Sequence, residues 1–109
     1  MITADEREWL DGFRDAVSSR FPAIIEDIIV FGSKARGTAS ADSDLDVLVL
    51  LREGDRSLKS EIRRLGHRLA VTSDAVPSIM IYTRAEWLER RDCGSPLFQA
   101  VSRDGVSVA

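Results

Sequence analysis

Two carboxylates stand in a pattern suited to binding a metal ion. Asp44 and Asp46 open an apolar run that continues from Val47 to Leu51 and is typical of a β-strand. Because side chains alternate between the two faces of a strand, both carboxylates point to one side while Leu45 points to the other. Two like charges this close are stabilised by a hard divalent cation with oxygen ligands, for which Mg²⁺ is the natural candidate. The pair therefore predicts a magnesium site.

A glycine-serine turn precedes this pair in the chain. An apolar run from Ile28 to Phe31 stops at Gly32-Ser33. Gly32 lacks a Cβ and lets backbone come close to a ligand, and Ser33 offers a hydroxyl and an N–H at the start of a short helical turn, where phosphate is favoured. Lys34 and Arg36 add positive charge, and arginine can bind phosphate oxygens with two hydrogen bonds. The turn is predicted to hold nucleotide phosphates, although Lys34 is equally well explained as a solvated loop charge.

Together the two motifs resemble the signature of a known superfamily. Gly32-Ser33, a gap of ten residues, and Asp44-Leu45-Asp46 followed by aliphatic residues are similar to the glycine-serine and Asp-x-Asp motifs of the DNA polymerase beta-like nucleotidyltransferases. The string GSKARG…SDLD resembles the smallest branch, the minimal nucleotidyltransferase (MNT) domains of antitoxin type. The resemblance implies an α+β (two-layer α/β) fold in which helices pack on a mixed β-sheet. Arg36 stands where the loop arginine of the family stands.

The resemblance also implies a third carboxylate, because the family uses three to hold two Mg²⁺ ions around a nucleoside triphosphate, here expected to be ATP. The third carboxylate comes from a neighbouring strand. At the position expected for it, just before Ile79, this chain has Ser78. The nearest carboxylate is Asp74, but four extended residues span about 13 Å. Asp74 is therefore either the third ligand, reached through a bulge or longer entry loop at Pro77, or a loop aspartate outside the site.

Two functions remain open from these residues. The first is an Mg²⁺-dependent nucleotidyltransferase that moves a nucleoside monophosphate, expected to be AMP, from a nucleoside triphosphate to a macromolecular acceptor. The resemblance supplies a candidate acceptor, a small helical HEPN-type partner for which the chain would act as antitoxin. The second is a catalytically weak or inactive protein that binds nucleotide and docks on such a partner with an incomplete metal site. The position of Asp74 separates the two.

The elements that must position these residues can be placed by pattern. Capping boxes at Thr3 and Thr83 begin helices, the first helix is expected to end near Arg20, and a small polar loop is expected over Gly37 to Ser43. Apolar residues at helical spacing predict a second main helix, while shorter runs predict a third strand, a last short helix ended by Gly105, and an edge strand. The residues concerned are Leu58, Ile62, Leu65 and Leu69 in the helix, and Ile79 to Thr83 and Val106 to Val108 in the strands.

Composition limits the class of protein. The 109 residues fit one domain, 1–109. With 15 basic and 18 acidic side chains the net charge is −3, so general binding of nucleic acid is not expected. The single Cys93 excludes an intrachain disulfide and suits a reducing compartment. The sequence has no run of about eighteen apolar residues, the length needed to span a membrane, and its acidic N-terminus is unlike a signal peptide. The expected location is therefore the cytoplasm.

Overall fold

The computed structural model describes residues 2–38 and 44–108. The loop expected over Gly37 to Ser43 therefore lies outside the described residues from position 39. The elements follow in the order α1 (Ala4–Arg20), β1 (Ile25–Phe31), α2 (Gly32–Arg36), β2 (Leu45–Leu51), α3 (Arg56–Ala70), β3 (Pro77–Thr83), α4 (Arg84–Asp92), α5 (Pro96–Asp104) and β4 (Val106–Ser107).

The four strands form one mixed sheet in the order β3-β2-β1-β4. Strands β1 and β2 are antiparallel, β2 and β3 are parallel, and β4 pairs antiparallel with β1 as a short edge strand. The parallel pair needs a crossover connection, which α3 provides between β2 and β3. The expected α+β class and mixed sheet are confirmed.

Both faces of the sheet are covered, because the central strand β2 is apolar on both sides. Its odd-numbered residues face α1 and α3, and its even-numbered apolar residues face α4 and α5. The first face packs with Trp9, Phe13, Val17 and Ile62 and the second with Trp87, Phe98 and Val101. The structure thus adds a second helical layer to the expected one.

Helix starts follow the sequence signals closely. At the start of α1, the Thr3 hydroxyl accepts a hydrogen bond from the Glu6 amide at 3.1 Å, and the Glu6 carboxylate accepts one from the Thr3 amide at 2.8 Å. Thr83 and Glu86 form the same reciprocal cap at α4. In the described parts of the chain no helix is long and apolar enough to cross a membrane.

A buried ion pair joins α2 to the start of α1. Lys34 Nζ lies 3.3 Å from Glu6 Oε2, and both side chains are buried. The other oxygen of Glu6 caps the Thr3 amide, so one carboxylate holds both the helix start and the lysine. Burying two charges is costly unless each satisfies the other, and removing one partner of such a pair is strongly destabilising. The pair therefore fixes α2 against α1.

Replacing Lys34→Met is expected to lower the free energy of unfolding by about 3–5 kcal/mol, because it leaves the Glu6 carboxylate buried without its partner. The double variant Glu6→Gln, Lys34→Met should regain most of this loss, since glutamine can still cap Thr3 but carries no charge. Urea unfolding measures both. The control is Arg20→Met, which removes an exposed pair with Glu61 and should cost only about 0–1 kcal/mol. Equal losses for Lys34→Met and Arg20→Met would contradict the buried pair.

Candidate active site

The register of β1 and β2 brings the glycine-serine turn to the Asp-x-Asp pair. Phe31, the last residue of β1, lies opposite Asp46. Gly32 follows with a φ of +73°, a left-handed conformation that favours glycine. A Cβ at Gly32 would collide with the Asp46 carboxylate oxygen Oδ2. The missing side chain therefore leaves the space in which the Asp46 carboxylate lies against the turn.

The two carboxylates of the pair differ in their surroundings. Asp44 is exposed just before β2, whereas Asp46 is half-buried within it. Burial, followed by the charge of Asp44, raises the pKa of Asp46, while the charge of Arg36 partly opposes this rise. A nearby cation stabilises the ionised form of such a carboxylate and offsets the cost of its burial. The pair thus carries the electrostatic character of a cation site.

The two basic residues of α2 point in different directions. Lys34 is buried against Glu6 and is not directed to the phosphates, so it is neither the predicted phosphate ligand nor a solvated charge. Arg36 remains partly exposed, and its charge acts on Asp46. Positions two apart on a helix do not share a face. Of these two residues, only Arg36 stays available for a nucleotide.

Arg36 is held by a contact with α5. Its Nη1 donates a hydrogen bond of 3.0 Å to Asp104 Oδ2 at the end of α5. Hydrogen bonds from Arg103, followed by the one from Arg36, lower the pKa of Asp104. The contact fixes the arginine, whose charge acts on Asp46, and leaves its remaining N–H groups able to donate elsewhere. Sequence reasoning missed Asp104, because nothing local marks a carboxylate 68 positions away as a partner of this loop.

Ser78 occupies the neighbouring position on β3. In the parallel register of β2 and β3, Asp46 pairs with Ser78. Paired positions of adjacent strands present their side chains to the same face. The residue beside Asp46 is therefore a half-buried hydroxyl, which can accept or donate one hydrogen bond but brings no negative charge.

The structure places Asp74 apart from the pair, as a loop aspartate before β3, which was one of the two positions expected for it. Strand β3 begins only at Pro77, so Asp74 lies in the loop beyond the end of the sheet. Its exposed side chain lies beside Asp5 on α1 and raises the pKa of that carboxyl. Within residues 2–38 and 44–108, no group of three acidic, histidine or cysteine side chains is placed to hold a metal ion.

The donors that are present fit one Mg²⁺ ion better than two. Mg²⁺ is commonly held by one or two carboxylates together with substrate phosphates and water. Asp44 and Asp46 could supply the carboxylates, and the Gly32 turn lies directly against that of Asp46. A second ion would need a negatively charged carboxylate beside Asp46, whereas Ser78 would contribute only a neutral hydroxyl oxygen.

Comparison with known proteins identifies the family of the chain. Residues 10–93 match the family model of the nucleotidyltransferase domain. A candidate protein adenylyltransferase from Methanocaldococcus jannaschii is 31% identical over 78 residues, which are 71% of this chain and 79% of that protein. The chain therefore belongs to the nucleotidyltransferase domain family, and the resemblance drawn from its motifs is confirmed.

Solved structures share the fold. A nucleotidyltransferase candidate from Sulfolobus solfataricus superposes with a TM-score of 0.58 at 19% identity, covering 93% of this chain and 77% of that one. A toxin-antitoxin structure with AMP-PNP gives a TM-score of 0.60 at 22% identity, covering 93% of this chain and 70% of that one. A mutant form of the toxin-antitoxin MntA-HpeT gives 0.59 at 22% identity, covering 92% and 71%.

The variant Gly32→Ala tests the contact with Asp46. Gly37→Ala is a matched control, because Gly37 has almost the same φ, +76°, but a Cβ there would meet no atom of the described residues within 4 Å. Both variants should lose about 1–3 kcal/mol of stability from backbone strain alone. Only Gly32→Ala should also lose binding of Mg²⁺ with AMP-PNP, measured by calorimetry. Equal binding by the two variants would show that the close approach is not part of the site.

Proposed function

We propose that the chain is an Mg²⁺-dependent nucleotidyltransferase that transfers AMP from ATP to a protein acceptor. The observation that carries the proposal is the contact between the Gly32 turn and the Asp46 carboxylate, which places the predicted phosphate-binding turn directly against the predicted metal ligand. Membership of the nucleotidyltransferase family supports the reaction class. The relative named as a candidate protein adenylyltransferase supports AMP as the transferred group and protein as the acceptor class.

Different residues bind the metal ion and the phosphates. Asp44 and Asp46 would hold Mg²⁺, which neutralises phosphate charge as the reaction proceeds. Ser33 and Arg36 donate hydrogen bonds to phosphate oxygens. An acceptor hydroxyl forms a new bond to the α-phosphorus, the bond from that phosphorus to the bridging oxygen of the β-phosphate breaks, and its electron pair leaves with pyrophosphate. The hydroxyl proton passes to solvent, because Ser78 offers no carboxylate to receive it.

A second candidate function is nucleotide binding without efficient transfer. It is favoured by one specific observation, the hydroxyl of Ser78 beside Asp46 in place of a third carboxylate. A site with a single ion can bind a nucleotide, yet it lacks the second ion that stabilises the other end of an in-line displacement. The chain would then act by docking on its partner.

The partner proposed for either function is a small helical protein of the HEPN type, with the chain as its antitoxin in the cytoplasm. Fold neighbours that are toxin-antitoxin structures support a protein partner. The experiment co-expresses the chain with the product of an adjacent reading frame of HEPN type and measures the intact mass of both. An AMP adduct that disappears with Asp46→Asn supports the transferase. Nucleotide binding without any adduct supports the second candidate.

Mg²⁺ with ATP should raise the melting temperature, because a ligand that binds only the native state stabilises by about 2.7 kcal/mol at a hundredfold excess over its Kd. Asp46→Asn should abolish this gain. Asp15→Asn, an exposed aspartate on α1, should keep it. Scanning fluorimetry measures all three proteins, and an Asp46→Asn variant that is stabilised as strongly as the parent would remove Asp46 from the site.

Ser78→Asp should restore the third carboxylate and raise the number of metal ions bound. Electron paramagnetic resonance with Mn²⁺ and AMP-PNP should count one ion per nucleotide in the parent and two in the variant, since a second ion needs another carboxylate. Ser18→Asp, which adds the same charge on α1 away from the sheet, should leave the count unchanged. Two ions already bound by the parent would contradict the single-ion site.

A further inference from the structure

Exposed apolar side chains concentrate around one short segment. Leu69, Val71 and Val76 are 38%, 81% and 60% exposed, and they lie at the end of α3 and in the loop that leads to β3. In the described parts of the chain only two other large apolar side chains are exposed, Leu88 and Val106, and these belong to other elements. Apolar surface that is concentrated in this way marks an interaction site more often than scattered single residues do.

A cavity of about 340 Å³ opens beside this segment, between α1 and the loop after α3. Trp9 and Leu69 give it apolar walls, and Asp5, Glu8 and Asp74 give it acidic ones. Among the described residues that line it there is no lysine or arginine. The indole Nε1 of Trp9 already donates to the carbonyl oxygen of Gly66 at 2.9 Å, so the ring offers only its apolar surface. The cavity combines apolar walls with uncompensated negative charge.

Two of the acidic side chains, Asp5 and Asp74, lie close together. The proximity of Asp74, through hydrogen bonding first and its charge second, raises the pKa of Asp5. A cationic group placed between the two would satisfy both carboxylates in their charged form. The described residues hold no three-ligand arrangement for a metal ion. An organic cation with apolar neighbours, such as a lysine or arginine side chain in a protein segment, complements the cavity better than a bare metal ion.

This surface adjoins the candidate active site at two points. The amide of Leu45, between the two aspartates of the pair, donates a hydrogen bond of 2.9 Å to the carbonyl oxygen of Val76. On the other side Glu6, the neighbour of Asp5, holds Lys34 of α2. The surface is therefore joined to the candidate site through the backbone of Val76 and the Glu6–Lys34 pair, and the two lie on opposite faces of the sheet.

We propose that this docking surface, formed by Asp5, Glu8, Trp9, Leu69, Val71, Asp74 and Val76, binds a segment of the partner protein that carries a lysine or arginine flanked by apolar side chains. The carboxylates receive the cation, and the exposed leucine and valines cover the flanking side chains. That this segment belongs to the acceptor of AMP rests on the proposed function. The docking itself does not.

The test uses the full chain labelled with ¹⁵N and a blocked Gly-Leu-Arg-Leu-Gly peptide as the probe. The matched control peptide has citrulline in place of arginine, which keeps the shape and removes the charge. In NMR spectra the arginine peptide should shift the indole N–H signal of Trp9 and the amides from Leu69 to Val76. The indole signal of Trp87, which lies on the opposite face of the sheet, should stay in place as an internal reference.

Asp5→Asn and Asp74→Asn should each weaken binding of the arginine peptide by about two- to fivefold, the range expected for an exposed ion pair. Asp15→Asn, outside the cavity, should not weaken it. Equal shifts with the citrulline peptide, an unshifted Trp9 signal at millimolar peptide, or the same shifts with Mg²⁺ alone would overturn the proposal. Concentration-dependent dimerisation through these residues without peptide would overturn it in favour of a second copy of the chain.

The same labelled samples separate this proposal from the proposed function. Addition of Mg²⁺ with AMP-PNP should shift the amides of Gly32 and Ser33, and this effect should survive Asp5→Asn and Asp74→Asn. Failure of the nucleotide to bind, with peptide binding intact, would remove the transferase and leave the docking surface. Failure of the peptide to bind, with nucleotide binding intact, would remove the docking surface and leave the transferase.

Discussion

The close approach of Gly32 to Asp46 is the constraint on which the rest of the site depends. It exists because β1 and β2 pair with Phe31 opposite Asp46, so that the turn after β1 falls directly on the carboxylate. Any side chain larger than hydrogen at Gly32 would push the two apart. The antiparallel register of the two strands thus determines the geometry of the candidate site.

Helix α2 is short, yet three of its residues are tied to three different elements. Gly32 lies against Asp46 of β2, Lys34 is paired with Glu6 of α1, and Arg36 is paired with Asp104 of α5. The helical layers on both faces of the sheet therefore hold the turn between them. Because the turn is already fixed, less conformational entropy would be lost when a ligand binds to it. Lys34 contributes to the site in this indirect way, by anchoring α2 to α1.

Local patterns were sufficient to predict most of the fold and the centre of the site. The capping boxes, the apolar runs and the alternation around Asp44 and Asp46 depend on neighbours only a few residues apart, and the elements follow them. The partners of Lys34 and Arg36 come from distant segments, which a motif cannot reveal. One available signal was their spacing, because residues two apart on a helix point to different sides. It already implied that only one of them could face the phosphates.

Asp74 shows how a carboxylate can be close in sequence and still belong to another surface. The amide of Leu45 bonds to Val76, and β3 starts one residue later, so the chain before Val76 has already left the sheet. Asp74 consequently meets Asp5 of α1, on the face covered by α1 and α3, whereas Asp46 and Ser78 face α4 and α5. Negative charge is thereby absent from the strand position beside the metal pair and present in the cavity next to it. The same short loop thus keeps Asp74 out of the candidate metal site and places it in the wall of the neighbouring cavity.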